Sequence, residues 1–297
     1  MFKTTFTVAR GARRWASLAG STSALLLAVL LAVLGCARVV PGRSTDAGAF
    51  DAASDFGSPP TVMDAAAETP PTQIPPSGDA GICQNELRVV VRDFRSGEKD
   101  GQPIHPDFEG KVAVDPGIVA PMLGTDSKPV YAGGTQGTTT TKENLDQWYR
   151  DVPGINMTFE KSIPLTPDAT RPGVWVYDSD AFYPLGNDEG CGNQYLDHNQ
   201  DFTTEIHLTF PYKGKESFTF RGDDDLFLFV NGRLALDLGG VHSALSGTVD
   251  MDARAAELGL QVGQTYRMDI FQADRHCCQS TFHLETTLSC IRNIIID

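Results

Sequence analysis

The sequence predicts an all-β fold, an antiparallel β-sandwich with one or two short helices, occupying residues 83–297 behind a disordered tether. Three observations predict it. Short β-branched and aromatic runs recur between turn-forming residues. The 297 residues hold 29 glycines, 18 prolines and 16 phenylalanines, a composition suited to many strands and turns. The segment Leu226-Phe-Leu-Phe-Val-Asn-Gly-Arg-Leu-Ala-Leu-Asp-Leu238 sets two apolar runs around Asn231-Gly232. Asn-Gly takes the positive φ angles of a type I′ turn, so this segment is a hairpin. A jelly roll of the same strands is the competing topology.

Taken in order, residues 86–94 are rich in β-branched side chains and suit a first strand buried on both faces. Thr140 to Glu143 reads as a capping box, and Leu145, Trp148, Tyr149 and Val152 follow at helical spacing, which predicts the one clear helix. Strands are then expected at 157–163, 173–177, 203–210, 216–220, 226–230, 233–238, 265–272 and 281–288. In the last of these, Phe282, Leu284, Thr286 and Leu288 alternate with His283, Glu285 and Thr287, the pattern of a half-solvated strand.

The residues ahead of this unit are of another kind. Lys3, Arg10, Arg13 and Arg14 precede an apolar run of 11 residues, Ala24 to Leu34, and no acid occurs in residues 1–35. That is a secretory signal, since a spanning helix needs roughly 20 apolar residues. Its end, Val33-Leu34-Gly35-Cys36, resembles the lipobox of bacterial lipoproteins, which implies lipidation of Cys36 and membrane attachment through that lipid anchor only. Ala37 is not an acid, so the expected location is the outer membrane or cell surface, after secretion through the inner membrane. Ordinary cleavage, leaving Cys36 a thiol, is the alternative. The tether, 36–82, holds seven prolines and six acids among few apolar residues and cannot offset its ordering entropy.

Charge narrows the partners. The chain carries 38 acids against 24 bases, net -14. Loss of residues 1–35 removes four bases and no acid, leaving 20 against 38, net -18. Such a surface repels phosphate backbones, so nucleic acid is not expected as a partner.

At the hairpin the sequence resembles a family. Phe220-Arg-Gly-Asp-Asp-Asp and the strands around Asn231-Gly232, through Gly239-Gly-Val-His242, are similar to the signature of the fibro-slime domain. Arg92-Asp-Phe94, His105-Pro-Asp-Phe108, Lys128-Pro-Val-Tyr131, Gln147-Trp-Tyr149, Gly154-Ile-Asn156 and Asp269-Ile-Phe-Gln-Ala-Asp-Arg-His276 fit it in order. Fibro-slime domains are in turn similar to the protective-antigen type of β-sandwich, found in glycosidases, toxins and adhesins. In adhesins of that group an acidic pair joined by a cis peptide binds Ca²⁺, which holds sugar hydroxyls. The resemblance carries the pair onto Asp223 and Asp224, the turn onto Asn231 and Gly232, and a late-loop oxygen donor onto Asp274. Asp225 stands where the pattern has glycine, and it joins Asp223, Asp224, Asn231 and Asp274 as a candidate Ca²⁺ ligand. A solvated acidic turn is the plainer account of the three aspartates, and turn formation that of Asn231.

Asp237 and His242 flank Gly239-Gly240 and are candidate ligand-binding residues, with a buried histidine bonded to a carboxylate as the alternative. Asp197 and His198, in the polar stretch 187–201, are two further candidates. Trp148, Tyr149, Trp175 and Tyr195 could stack on sugar rings or simply fill the core. Cys83 and Cys290 bracket the unit, so a bridge between them would fasten first strand to last. Cys191 would then bond Cys277 or Cys278. A zinc site from Cys277, Cys278, His276 and His283 lacks the spaced pairs of structural sites.

The expected function is a surface-anchored, non-enzymatic module that binds a polysaccharide or other glycan. A glycosidase using paired carboxylates is the alternative, as is a purely structural or signalling module. No nucleophile elbow, zinc-protease helix or phosphate loop occurs.

Overall fold

The computed structural model describes residues 82–95, 104–192 and 198–295. The expected signal peptide, Cys36 with its lipidation, all but the last residue of the tether, Tyr195 and Asp197 lie outside them.

Among the described residues, the main sheet runs in the order β3 (Asn156–Pro164), β1 (Glu86–Phe94), β6 (Phe202–Pro211), β12 (Thr265–Asp274), β8 (Asp225–Val230) and β9 (Arg233–Leu238), and β14 (Arg292–Asn293) also pairs with β6. The second sheet runs β11 (Leu245–Asp250), β7 (Ser217–Gly222), β13 (Phe282–Thr286), β5 (Trp175–Ser179) and β4 (Thr166–Pro167). A short ribbon pairs β2 (Ala113–Val114) with β10 (Gly240–Val241). Every ladder is antiparallel.

The main sheet is covered on both faces, which explains its unbroken apolar runs. In β8, Leu226, Leu228 and Val230 enter the core between the sheets, while Phe227 and Phe229 join a second cluster with Phe94, Phe108, Leu145, Trp148, Tyr149 and Phe271. Each such ring or branched side chain contributes roughly 1.5–3 kcal/mol on burial. The hairpin closes as expected, Asn231 and Gly232 having φ of 53° and 73°.

Two expectations need correction. The helix predicted from Thr140 to Val152 is only α1, Lys142–Asp146, and its cap is Thr141, whose hydroxyl accepts from the Asn144 N–H. Tertiary contacts stop it. The Asn156 side-chain amide donates to the carbonyls of Gln147 and Arg150, and the Trp148 indole donates to Asp107. β11 has no strong apolar pattern because it is an edge strand with one solvated face, and it went unpredicted, as did the single turn α2, Ala255–Leu258.

Candidate functional site

One end of the main sheet gathers acids from successive strands. Asp93 on β1 pairs with Phe202 on β6, Phe202 pairs with Asp274 on β12, and Ala273 pairs with Asp225 on β8. The Asp201 carbonyl, just ahead of β6, accepts from the Phe94 N–H at 2.8 Å. Asp93 and Asp274 share the face of Phe202, toward the inter-sheet core, and the turn from β7 to β8 brings in Asp223 and Asp224 beside them. The Asp223–Asp224 peptide is cis.

These carboxylates are buried and poorly satisfied. Asp223 accepts from the Thr281 N–H at 2.6 Å through one oxygen, while its other has no partner. Among the described residues, neither oxygen of Asp201 or Asp274 has one, nor does Oδ1 of Asp93, and the Ser280 hydroxyl beside Asp274 donates instead to the Phe182 carbonyl. Asp224 accepts from the backbone N–H groups of His242 and Arg275, at 3.1 and 2.9 Å. Burial, then the charge of Asp225, pushes Asp224 up to about 7. Burial raises Asp93 to about 6, against the Cys191 N–H that stabilises its charge. Asp201 and Asp274 are raised well above the carboxylate range, first by burial. The charges of Glu109, Asp224 and Asp93 add to it for Asp201, and those of Asp224, Asp201 and Asp223 for Asp274. An ionised carboxylate without a partner is costly in such surroundings, so this end of the fold calls for protons or cations.

The structure thus brings Asp223, Asp224 and Asp274 together and adds Asp201 and Asp93, which motif reading missed. Asp225 is committed elsewhere, which corrects its assignment as an ion ligand. The Arg275 guanidinium donates to both its oxygens at 2.6 and 3.1 Å, and the Gly240 N–H donates to Oδ1. Asn231 is also corrected. It lies at the far end of β8, roughly 20 Å along the strand, and its amide donates to the Leu258 carbonyl at 2.9 Å.

Asp237 is spent on backbone, accepting from Gly117 and Gly239 at 2.8 and 3.0 Å, so it clamps two loops and is not a free ligand group. His242 is buried, its ring nitrogens 3.1 and 3.2 Å from the carbonyls of Ser243 and Leu238. Its contribution to the site is its N–H to Asp224. His198 is exposed and stacks flat on Tyr183, ring centres 4.1 Å apart. Burial, then the charges of Asp274 and Asp223, raises the Tyr183 hydroxyl. This pair is an aromatic face beside the aspartates. Trp148 and Tyr149, by contrast, are fully buried.

The cysteines divide differently from the expected pairing. Cys83 bonds Cys290, but Cys277 bonds its neighbour Cys278 and Cys191 is a free thiol. Cys191 lies against Asp93, and burial, then that charge, pushes its thiol up to about 11. Ligand atoms of Glu109, His276 and Cys277 lie within 4.8 Å of one another, the only such trio among the described residues. The Cys277 sulfur is committed to its disulfide, and no three of the described aspartates bring ligand oxygens within that distance.

The PA14 domain family matches residues 190–296. Protein psiD of Dictyostelium discoideum is 39% identical over 210 residues, covering 64% of this chain and 40% of its own length. Protein psiC of the same organism is 33% identical over 227 residues, covering 70% and 42%. The chain spans less than half the length of these relatives. Among solved structures, the PA14 sugar-binding domain from an RTX adhesin is 15% identical, with a TM-score of 0.22, over 42% of this chain and 73% of its own. The Epithelial Adhesin 9 A domain from Candida glabrata, in complex with Galb1-4GlcNAc, is 11% identical, with a TM-score of 0.30, over 75% and 94%.

Proposed function

We propose that this chain, matched over residues 190–296 by the PA14 domain family, is a non-enzymatic, Ca²⁺-dependent glycan-binding module of fibro-slime type, held at the cell surface by a lipid on Cys36. The observation that carries the reading is the set of buried carboxylate oxygens of Asp223 and Asp274 that have no hydrogen-bond partner among the described residues. Ca²⁺ takes six to eight oxygen ligands at about 2.3–2.6 Å, and this donor set is of the right hardness. The residues therefore fit the ion. Asp223, Asp224 and Asp274 would hold it, and the three carboxylates would have to draw together around it. Bound there, the ion would supply open positions for vicinal hydroxyls of a sugar.

The chain's own groups orient the ligand. The His242 and Arg275 N–H groups fix the Asp224 carboxylate, and the Thr281 N–H fixes that of Asp223. The stacked Tyr183 and His198 rings offer a flat apolar face to the carbon side of a sugar ring, while hydroxyls turn toward the acids.

The test is a glycan array probed with the full chain, with and without chelator, alongside Asp224→Asn. Saturable binding should weaken roughly 10–100-fold in the variant and vanish with chelator. Binding indifferent to both refutes the ion's role. Polysaccharide turnover that survives chelation would replace this reading with an enzymatic one.

A further inference from the structure

We propose a second cation position, for a hard divalent ion such as Ca²⁺, between Asp93 and Asp201 with Glu109 beside them, separate from the position at Asp223, Asp224 and Asp274. The inference rests on reading this end of the sandwich as an ion site.

Its geometry comes from the sheet. Asp93, Asp201, Asp274 and the Asp223–Asp224 turn stand at the ends of β1, β6, β12 and β8, which are successive neighbours. Neighbouring strands lie about 4.8 Å apart, so the row spans roughly 14 Å. Oxygens on one Ca²⁺ are at most about 5 Å apart, twice the metal–oxygen distance. A single ion cannot gather both ends of such a row. The ion at Asp223, Asp224 and Asp274 occupies the β12–β8 side and leaves the β1–β6 side unserved.

On that side Asp93 and Asp201 are buried, while Glu109 is half-buried and faces His276. Among the described residues, Asp201, 0% exposed, has no partner on either oxygen, and Asp93, 0% exposed, has none on Oδ1. Asp93 Oδ2 accepts from the Cys191 N–H at 2.6 Å, and the side chains of Cys191 and Asn199 also bond this carboxylate. Glu109 is held nearby through its N–H to the Arg275 carbonyl, and its charge acts on Asp201 ahead of those of Asp224 and Asp93. The buried base of the region, Arg275, is already matched by Asp225. The His276 ring lies 3.8 Å from the Glu109 carboxylate, and Arg95 is engaged with the Cys191 thiol. All the donors are carboxylate oxygens, which select a hard cation over a transition metal. An ion there would tie the end of β1 to the start of β6 and both to the loop carrying Glu109.

The experiment counts ions. The full chain, stripped with chelator and dialysed, is titrated with Ca²⁺ by calorimetry, beside Asp93→Asn and Asp201→Asn. Asparagine keeps the volume and an accepting oxygen, so the Cys191 N–H stays satisfied. Two ions per chain are expected for the unmodified protein and one for Asp93→Asn. Asp201→Asn should lose at least one. One ion in the unmodified protein, unchanged in Asp93→Asn, overturns the second position and leaves the proposed function standing. Two ions retained in Asp93→Asn overturn it as well. No ion in any form overturns both.

Discussion

Arg275 organises the acidic end of the sandwich. Its guanidinium is fully buried, donates to both oxygens of Asp225 and to the carbonyls of Asp107 and Thr138, and lies 4.6 Å from the centre of the Trp148 ring. It joins the 104–152 segment to the ends of β8 and β12. Removing one partner of a buried ion pair strands the other, at a cost of about 3–5 kcal/mol. Arg275→Met should therefore lower the unfolding free energy from urea titration by that amount, and Asp225→Leu in the same chain should restore part of it. A double variant no more stable than the single one would show that the carbonyl contacts dominate. None of this was legible in the motif. Three consecutive aspartates look alike in sequence, yet one faces the second core with Arg275 and two turn toward the row of carboxylates. Only the strand register separates them. Asp201 was missed for a related reason: it lies in a polar loop, and the pairing of the next residue, Phe202, with both Asp93 and Asp274 is what brings that loop to the acidic end.

The corner between β7 and β8 sets the positions of Asp223 and Asp224. Gly222 ends β7, pairs with Phe282 on β13 and Leu245 on β11, and has no room for a side chain. A Cβ there would sit 2.6 Å from the Phe220 ring and closer still to the Thr281 carbonyl. The same Thr281 donates its N–H to Asp223. Gly222→Ala should cost about 1–3 kcal/mol, the range for forcing bulk into a packed site, and should weaken Ca²⁺ binding by displacing that N–H. Denaturant titration and calorimetry on one preparation check both, and full stability would show that the strands part without strain. The elements around this corner were legible because their signals are local. The run of β8, the Asn231-Gly232 turn and the alternation in β13 depend on neighbours in sequence. The helix after Thr141 was overestimated because the same helical spacing serves Trp148 and Tyr149 as core residues of a turn. β11 and the short ribbon of β2 with β10 gain their shape from partners distant in sequence, which no local pattern encodes.

The acid excess of the whole chain divides into two populations with opposite pH signatures. Asp115 and Glu205 are favoured as anions. Burial opposes their ionisation, but the N–H groups of Thr138, Thr135 and Gln136 hold Asp115 at about 2, and His207, Lys128 and Arg92 do the same for Glu205. Their contribution is present above the unfolded pKa, near 4, and is lost as pH falls toward 2. Asp93 and Asp224, raised to about 6 and about 7, behave in reverse. The folded chain holds their protons more tightly than the unfolded chain, so stability falls as pH rises from about 4 to about 7. For Asp93 alone, a shift of roughly two units is worth about 3 kcal/mol. With chelator present, thermal stability should therefore peak near pH 4–5 and decline toward neutrality. Ca²⁺ binds the deprotonated carboxylates, so at millimolar concentration it should abolish that decline, stabilising the domain strongly at about pH 7.5 and little at about pH 4.5. Unfolding scans across this range, with chelator and with Ca²⁺, decide the matter. Flat stability with chelator, or a Ca²⁺ effect equal at both ends, would mean that the carboxylates at the sheet end are neutralised by something other than protons and cations.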